Sequence, residues 1–303
     1  MDKTQFIEKA EQMVATIEDL PTIPAVANQV LQLLDQPEVE VEEVADLMLS
    51  DQVMTTRVMK MLNSPVYRPA SEITSLKRAL VYLGLKHIRE LALTTSFINA
   101  FDADSGAFKV TDFWEHSFGV GMVAKIIAEK AGYHDLEKAY ISGIIHDLGV
   151  VFLSNYRRDE FLAILDSIKD RPVKLVDEEI RTLGTSHCEI GFCMARKWNF
   201  PDTYCEVIAC HHDPEQATID PILCAIINLA DLFCGVRELN YGGREWVSFN
   251  LYEEPAWQIL RKQSPELANM DVERFCYELD DAIPDVKSLV SSIFNSNSQA
   301  APC

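Results

Sequence analysis

The stretch VTDFWEHSFGVGMVAKIIAEKAG at 110–132, followed by DLEKAYISGIIHDLGVVFLSN at 135–155, decides how this chain is read. Both segments read as helices, separated by a short Gly-containing joint. In the first, Asp112 and His116 stand four apart, which on a helix puts them on one face a turn from each other. In the second, His146 and Asp147 are neighbours, which diverge by about 100° on a straight helix. Followed by Leu148-Gly149, the pair is expected where the helix bends or where two ions lie side by side, and an Asp between two ions can bridge them.

Helical periodicity continues on both sides. Downstream, RDEFLAILDSIKD, KLVDEEIRTLG, SHCEIGFCMARKWN, PDTYCEVIACHH and DPILCAIINLADLFCGVREL read as helices with Gly, Pro or polar joints. Upstream, AVANQVLQLLD points Val26, Val30, Leu33 and Leu34 to one side, EVEEVADLMLS points Val41, Val44, Ala45 and Met48 inward, and DQVMTTRVMKMLN does so with Val53, Val58, Met61 and Leu62. Pro21 and Pro24 close off what precedes, and Asn63-Ser64-Pro65 stops the third helix. LKRALVYLG, with Ser75 as cap and Gly84 as end, and LKHIRELALTTSFINAF, with Ile88, Leu91, Ala92 and Phe97 inward, complete a helical unit. The polar stretch DADSGAF at 102–108 breaks the pattern. The expectation is an all-α chain of two helical subdomains: an N-terminal bundle over 1–104, a second helical domain over 105–285, and a frayed tail over 286–303. NYGGREWVSFNLYEEP is expected as a loop, and its aromatic patch of Trp246, Phe249 and Tyr252 packs or meets a partner.

Five of the seven histidines then fall in one series with carboxylates: Asp112 and His116, His146-Asp147, His187, His211-His212 and Asp231. Imidazole and carboxylate hold divalent transition metals in hydrolytic centres, and here they recur about once per helical hairpin. Asp231, in INLADLF, sits among apolar residues that would bury an unpaired carboxylate at a cost of several kcal/mol, so it needs a cation or donor. Singly, each histidine reads as a satisfied core residue and Asp112 as a carboxylate at a helix start. Together they are explained by one metal centre.

Composition narrows the function classes. A hydrophobic content of 48% indicates a globular chain, and 47 acidic against 27 basic side chains give a formal charge of -20, which repels phosphate backbones and acidic lipid. DNA binding is therefore excluded as an expectation, although LGLKHIREL after LKRALVYLG faintly resembles a helix-turn-helix. No apolar run reaches the roughly 18 residues of a membrane span, and MDKTQFIEKAEQM lacks a signal-peptide core, so a cytoplasmic protein is expected. The eight cysteines form no CxxC pair. They read as reduced and mostly buried, with a thiol near the histidines as a potential soft ligand.

The order His116, His146-Asp147, His187, His211-His212, Asp231 resembles the HD superfamily of metal-dependent phosphohydrolases and its HD-GYP relatives. DLPTIPAVANQVLQLLD, EEVADLMLSDQVMTTRVMKMLNSPVY and ITSLKRALVYLGLKHIRELAL resemble the HDOD domain, a similarity running from about residue 16 to 235. The resemblance implies an all-helical fold and a bacterial signalling role, usually without demonstrated enzymatic activity. By carry-over from HD enzymes, His116, His146, Asp147 and Asp231 would hold one divalent ion and Asp147, His187, His211 and His212 a second; the spacing of Asp112 to His116 separately makes it a candidate supporting or extra ligand. Mixed nitrogen and oxygen ligation suits iron, manganese, nickel or zinc, and the HD-GYP similarity favours iron. Two departures stand out. HD-GYP enzymes carry a lysine where this chain has Val150, and a Gly-Tyr-Pro loop where it reads DPEQATIDP.

Two functions follow from this. The first is a regulatory protein that keeps a metal centre and binds other signalling proteins. The second is a metal-dependent phosphohydrolase acting on a nucleotide or cyclic dinucleotide, with Arg181, Arg196 and Lys197 as the nearest cations to hold phosphate.

Overall fold

The computed structural model describes residues 3–17, 25–34, 36, 38–64, 73–75, 77, 79, 87–88, 91–92, 94–95, 98, 107–169, 171–241, 250–264, 267 and 271–294. Among them every regular element is a helix, so the chain is all-α. In chain order these are α1 (Lys3–Ala15), α2 (Ala25–Leu34), α3 (Val41–Leu49), α4 (Gln52–Leu62), α5 (Val110–Lys130), α6 (Leu136–Ile145), α7 (Leu148–Tyr156), α8 (Arg158–Ile168), α9 (Leu175–Leu183), α10 (His187–Lys197), α11 (Asp202–Cys210), a 3-10 turn (Pro214–Gln216), α12 (Pro221–Val236), α13 (Pro255–Gln263) and α14 (Val272–Phe294). No helix among the described residues is long and apolar enough to cross a membrane.

Backbone contacts divide the chain into two compact units, Met1–Leu20 with Ala103–Leu279, and Pro21–Asp102 with Asp280–Cys303. Two segments thus fall outside the sequence boundaries at 104 and 285. Helix α1 buries Ala10, Met13 and Val14 and accepts a hydrogen bond from the Thr185 hydroxyl at the Phe6 carbonyl (2.9 Å), which ties it to the later part of the chain. Helix α14 continues to Phe294 with Val286, Leu289, Val290 and Ile293 buried, where a frayed tail was expected. Residues 295–303 lie outside the described residues.

In the unit built from Pro21–Asp102 and Asp280–Cys303, Asp51 caps α4 by accepting from the amides of Val53 and Met54, each at 2.9 Å. The buried face of α4 is Met54, Val58, Met61 and Leu62, a spacing that follows the helical period. Val53 was expected inward but is 54% exposed, because it sits one position off that stripe. Ile88, Leu91 and Ala92 are buried as their periodicity predicts, and the described positions from 77 to 98 are helical. Phe97, Gly84 and the ends of the two helices expected there lie outside the described residues.

The other unit holds the five histidines of the series. Its helices cross where glycines allow it. A Cβ on Gly143 of α6 would lie 2.6 Å from the Cα of Gly121 in α5, so these two helices meet backbone to backbone. A Cβ on Gly149 of α7 would overlap the carbonyl oxygen of His187 and crowd the amide nitrogen of Gly191, one turn on in α10. These two crossings draw the starts and ends of α5, α6, α7 and α10 to one point.

Candidate metal centre

Most of the site is built from helix ends, where backbone direction changes and side chains from several elements can converge. His116 projects from the second turn of α5. His146 is the C-terminal cap of α6, and Asp147 the N-terminal cap of α7, so the HD pair occupies the bend expected between two helices. Asp147 makes no side-chain bond to the amides of α7. An aspartate there ordinarily caps the helix, and here its carboxylate is turned to the imidazoles instead. His187 opens α10, after a capping box between Ser186 and Glu189. His211 caps the end of α11, His212 follows it, and Asp231 comes from the middle of α12.

These seven residues converge. Asp147 Oδ2 lies 3.1 Å from His146 Nε2 and 3.4 Å from His116 Nε2, while Asp147 Oδ1 lies 3.5 Å from both His187 Nε2 and His211 Nε2. One carboxylate therefore faces two imidazole pairs, one with each oxygen. His116 Nε2 is also 3.4 Å from Asp231 Oδ1, and His212 Nδ1 is 3.8 Å from Asp231 Oδ2. Ring nitrogens stand 3.3 Å apart between His116 and His146, 3.3 Å between His187 and His211, and 3.1 Å between His187 and His212.

The tautomers explain why these approaches call for a cation. Four rings have Nδ1 against an oxygen: His116 against the Leu239 carbonyl (2.7 Å), His146 against the Gly143 carbonyl (2.7 Å), His211 against the Ile208 carbonyl (3.0 Å) and His187 against Glu179 Oε2 (2.6 Å). A carbonyl or carboxylate only accepts, so each Nδ1 donates its proton, and Nε2 of each ring is the atom left facing the others. Lone pairs at about 3 Å repel unless something positive lies between them. Two nitrogens each about 2.0–2.1 Å from one ion stand roughly 3.0–3.4 Å apart at tetrahedral or octahedral angles, which matches the spacing here. The donor set therefore fits a divalent metal.

Without an ion, negative neighbours draw protons onto His116 and His187 in its place. Burial disfavours charge on His116, but hydrogen bonds and charge from Asp147 and Asp231 outweigh it and push the imidazole up to about 10. Burial works against the Asp147 carboxylate too, yet the surrounding imidazoles hold it well below the usual carboxylate range. Burial and neighbouring positive charge lower His211 and His212, which keeps those rings neutral and able to donate lone pairs. His116, His146, Asp147, His187 and His211 are all at most 4% exposed. The side chains of His212 and Asp231 are 26% and 17% exposed, so the cluster reaches solvent on their side.

Asp112 stands apart. It lies in the first turn of α5, with Thr111 donating to it at 3.4 Å, and it is in none of the groups of converging ligand atoms among the described residues. Three participants escaped sequence reading. Glu179 of α9, fully buried, accepts from both the backbone and the ring of His187, while its Oε1 has no partner. The Leu239 carbonyl orients His116, and the Tyr241 hydroxyl donates to Asp147 Oδ2 in a very short contact. Glu179 carries no signal beyond a charged residue on an amphipathic helix, and Leu239 and Tyr241 follow α12 in a segment without periodicity.

The surroundings also account for the departures at 150 and 213–221. Val150 is fully buried in α7. The 213–221 link is held by Glu206, whose carboxylate accepts from the amides of Thr218 (2.6 Å), Ile219 (2.8 Å) and Asp220 (2.7 Å). Arg181 pairs with Glu178 (2.5 Å) and Arg196 with Asp202 (2.5 Å), and Lys197 is exposed, so these cations are surface charges and not site groups. None of the described cysteines is in a disulfide, and five of them are buried. Trp246 and Phe249 lie outside the described residues, while Tyr252 is 58% exposed.

An all-α protein with an HD pair at a helix bend and histidines converging on it is of the HD type. The HDOD domain profile matches residues 20–214, and the chain belongs to the HDOD family. An HDOD domain protein of Geobacter sulfurreducens is 33% identical, superposes with a TM-score of 0.83, and is matched over 97% of this chain and 99% of that one. A candidate phosphohydrolase of Shewanella amazonensis shares the fold at 20% identity, with a TM-score of 0.73 over 94% of this chain and 98% of that one. An uncharacterized protein of Treponema pallidum is 26% identical over 71% of this chain, and the match spans 42% of that relative's length.

Proposed function

We propose that this HDOD protein is a regulatory component of signal transduction that retains a divalent metal centre with two adjacent positions. His116, His146, Asp147 and Asp231 would hold one ion and Asp147, His187, His211 and His212 the other, iron being favoured with manganese, nickel or zinc as the alternatives. The observation that carries this reading is the turning of both Asp147 oxygens and four buried Nε2 atoms toward one another. The chain's residues supply the geometry: Nδ1 partners fix the rings, Tyr241 and the imidazoles orient Asp147, and burial excludes water from all but the His212–Asp231 side. The regulatory role is supported by Val150 standing where a phosphate-binding lysine belongs in HD-GYP enzymes, and by the pairing of Arg181 and Arg196 away from the cluster. The partners are other signalling proteins.

Titration of the metal-free full chain with iron(II) or manganese(II) tests the centre. Saturable binding is expected, and replacing His146 and Asp147 together with Ala abolishes it. Equal binding by that double variant overturns the ligand assignment.

A second reading is favoured by the partial exposure of His212 and Asp231, which gives a small molecule a way to the cluster. In it the protein is a metal-dependent phosphohydrolase acting on a nucleotide or cyclic dinucleotide, where a bound metal would activate water and polarise the phosphoryl oxygens. Metal-dependent turnover of a cyclic dinucleotide that disappears in Asp147→Ala would establish it over the regulatory reading.

A further inference from the structure

Beside the second imidazole group lies a side chain outside the HD ligand series. Cys188 follows His187 at the start of α10 and is 4% exposed. Its Sγ forms, with ligand nitrogens of His187, His211 and His212, a group whose atoms all lie within 4.8 Å of one another. Two of those rings are fully or almost fully buried, with Nδ1 engaged by Glu179 and by the Ile208 carbonyl, and the sulfur is buried beside them. The first group, His116, His146 and Asp231, brings nitrogen and oxygen only. The two halves of the centre are therefore chemically unequal.

We propose that Cys188 is a thiolate ligand of the ion held by His187, His211 and His212, which makes this half selective for a thiophilic divalent metal. The class is zinc, iron or cobalt in preference to manganese or magnesium, because soft sulfur favours those ions. The inference rests on the metal-centre reading above. An ion with sulfur at about 2.3 Å and nitrogens at about 2.0–2.1 Å keeps S and N roughly 3.5 Å apart, and the four atoms already lie within 4.8 Å of one another. As the sulfur–metal bond forms, the thiol proton leaves to solvent. Burial pushes the thiol up, so the charge on sulfur is one that the ion itself stabilises.

The test is addition of cobalt(II) alone to the metal-free full chain, read by absorbance and by cobalt per chain, in wild type, Cys188→Ser and Cys210→Ser. The expected result is a near-ultraviolet sulfur-to-cobalt charge-transfer band in wild type and Cys210→Ser, lost in Cys188→Ser, which still binds cobalt at the first position. Bound cobalt with visible bands but no sulfur band in wild type overturns the thiolate and leaves the metal centre standing. A band that persists in Cys188→Ser assigns the sulfur elsewhere and also overturns it. Failure of wild type to bind cobalt at all overturns this inference together with the centre it rests on.

Discussion

At the scale of single residues, the proposed centre depends on groups that would not themselves touch an ion. Glu179 holds His187 through both ring and backbone, so Glu179→Gln keeps the shape while weakening the acceptor. Metal affinity should fall about 10–100-fold, the usual consequence of losing such an orienting carboxylate; calorimetric titration of the metal-free protein measures it, and an unchanged affinity would remove Glu179 from the account. Histidines were legible in the sequence because the residue type is rare and chemically specific, and because five of seven sat in one order. Glu179 and Tyr241 were not, since a glutamate on a helix and a tyrosine after one are ordinary until the backbone brings them within reach of His187 and Asp147. Asp112 is a different case. Its spacing to His116 was right for a shared face, but a position at the first turn of α5 leaves it outside the ligand group.

At the scale of elements, glycine crossings set the approach of the ligand-bearing helices. Gly149→Ala drives a methyl into the His187 carbonyl, which no rotamer change can relieve. The helices must part, at a cost of about 1–3 kcal/mol, with metal affinity falling alongside stability; chemical denaturation and metal titration of the same variant check both. The link after His212 makes a separate case. Burial raises the Glu206 carboxyl, but the amides of Asp220, Thr218 and Ile219 outweigh it and hold the group below its usual 4.5. A depressed folded-state value means the stabilisation is present above about pH 4.5 and is lost as pH falls through the lower folded value. Glu206→Gln should cost about 1–3 kcal/mol at neutral pH, and the difference from wild type should shrink on acidification; a difference constant from pH 7 to pH 3 would contradict this. Helix existence was legible from periodicity, as Met61, Leu62, Ile88 and Leu91 show by their burial. Stripe edges were not: Val53 is out and Met54 in, because one residue is the whole margin at 100° per position.

At the scale of the molecule, a buried cluster of five histidines and two aspartates is a folding liability without a cation and a folding asset with one. Chelation should therefore lower the melting temperature, and metal returned at about 100 times its Kd should restore roughly 2.7 kcal/mol, as scanning calorimetry would register. The membership of α1 and the end of α14 was beyond sequence reading, since an amphipathic helix does not say which surface it will cover. The central claim is the metal centre itself. It is tested most directly by elemental analysis of untagged protein purified without chelator and expressed as ions per chain. The account predicts one or two divalent transition-metal ions in wild type and none in the variant with His146 and Asp147 replaced by Ala. Protein that holds no metal, even after reconstitution with iron or manganese, would contradict it.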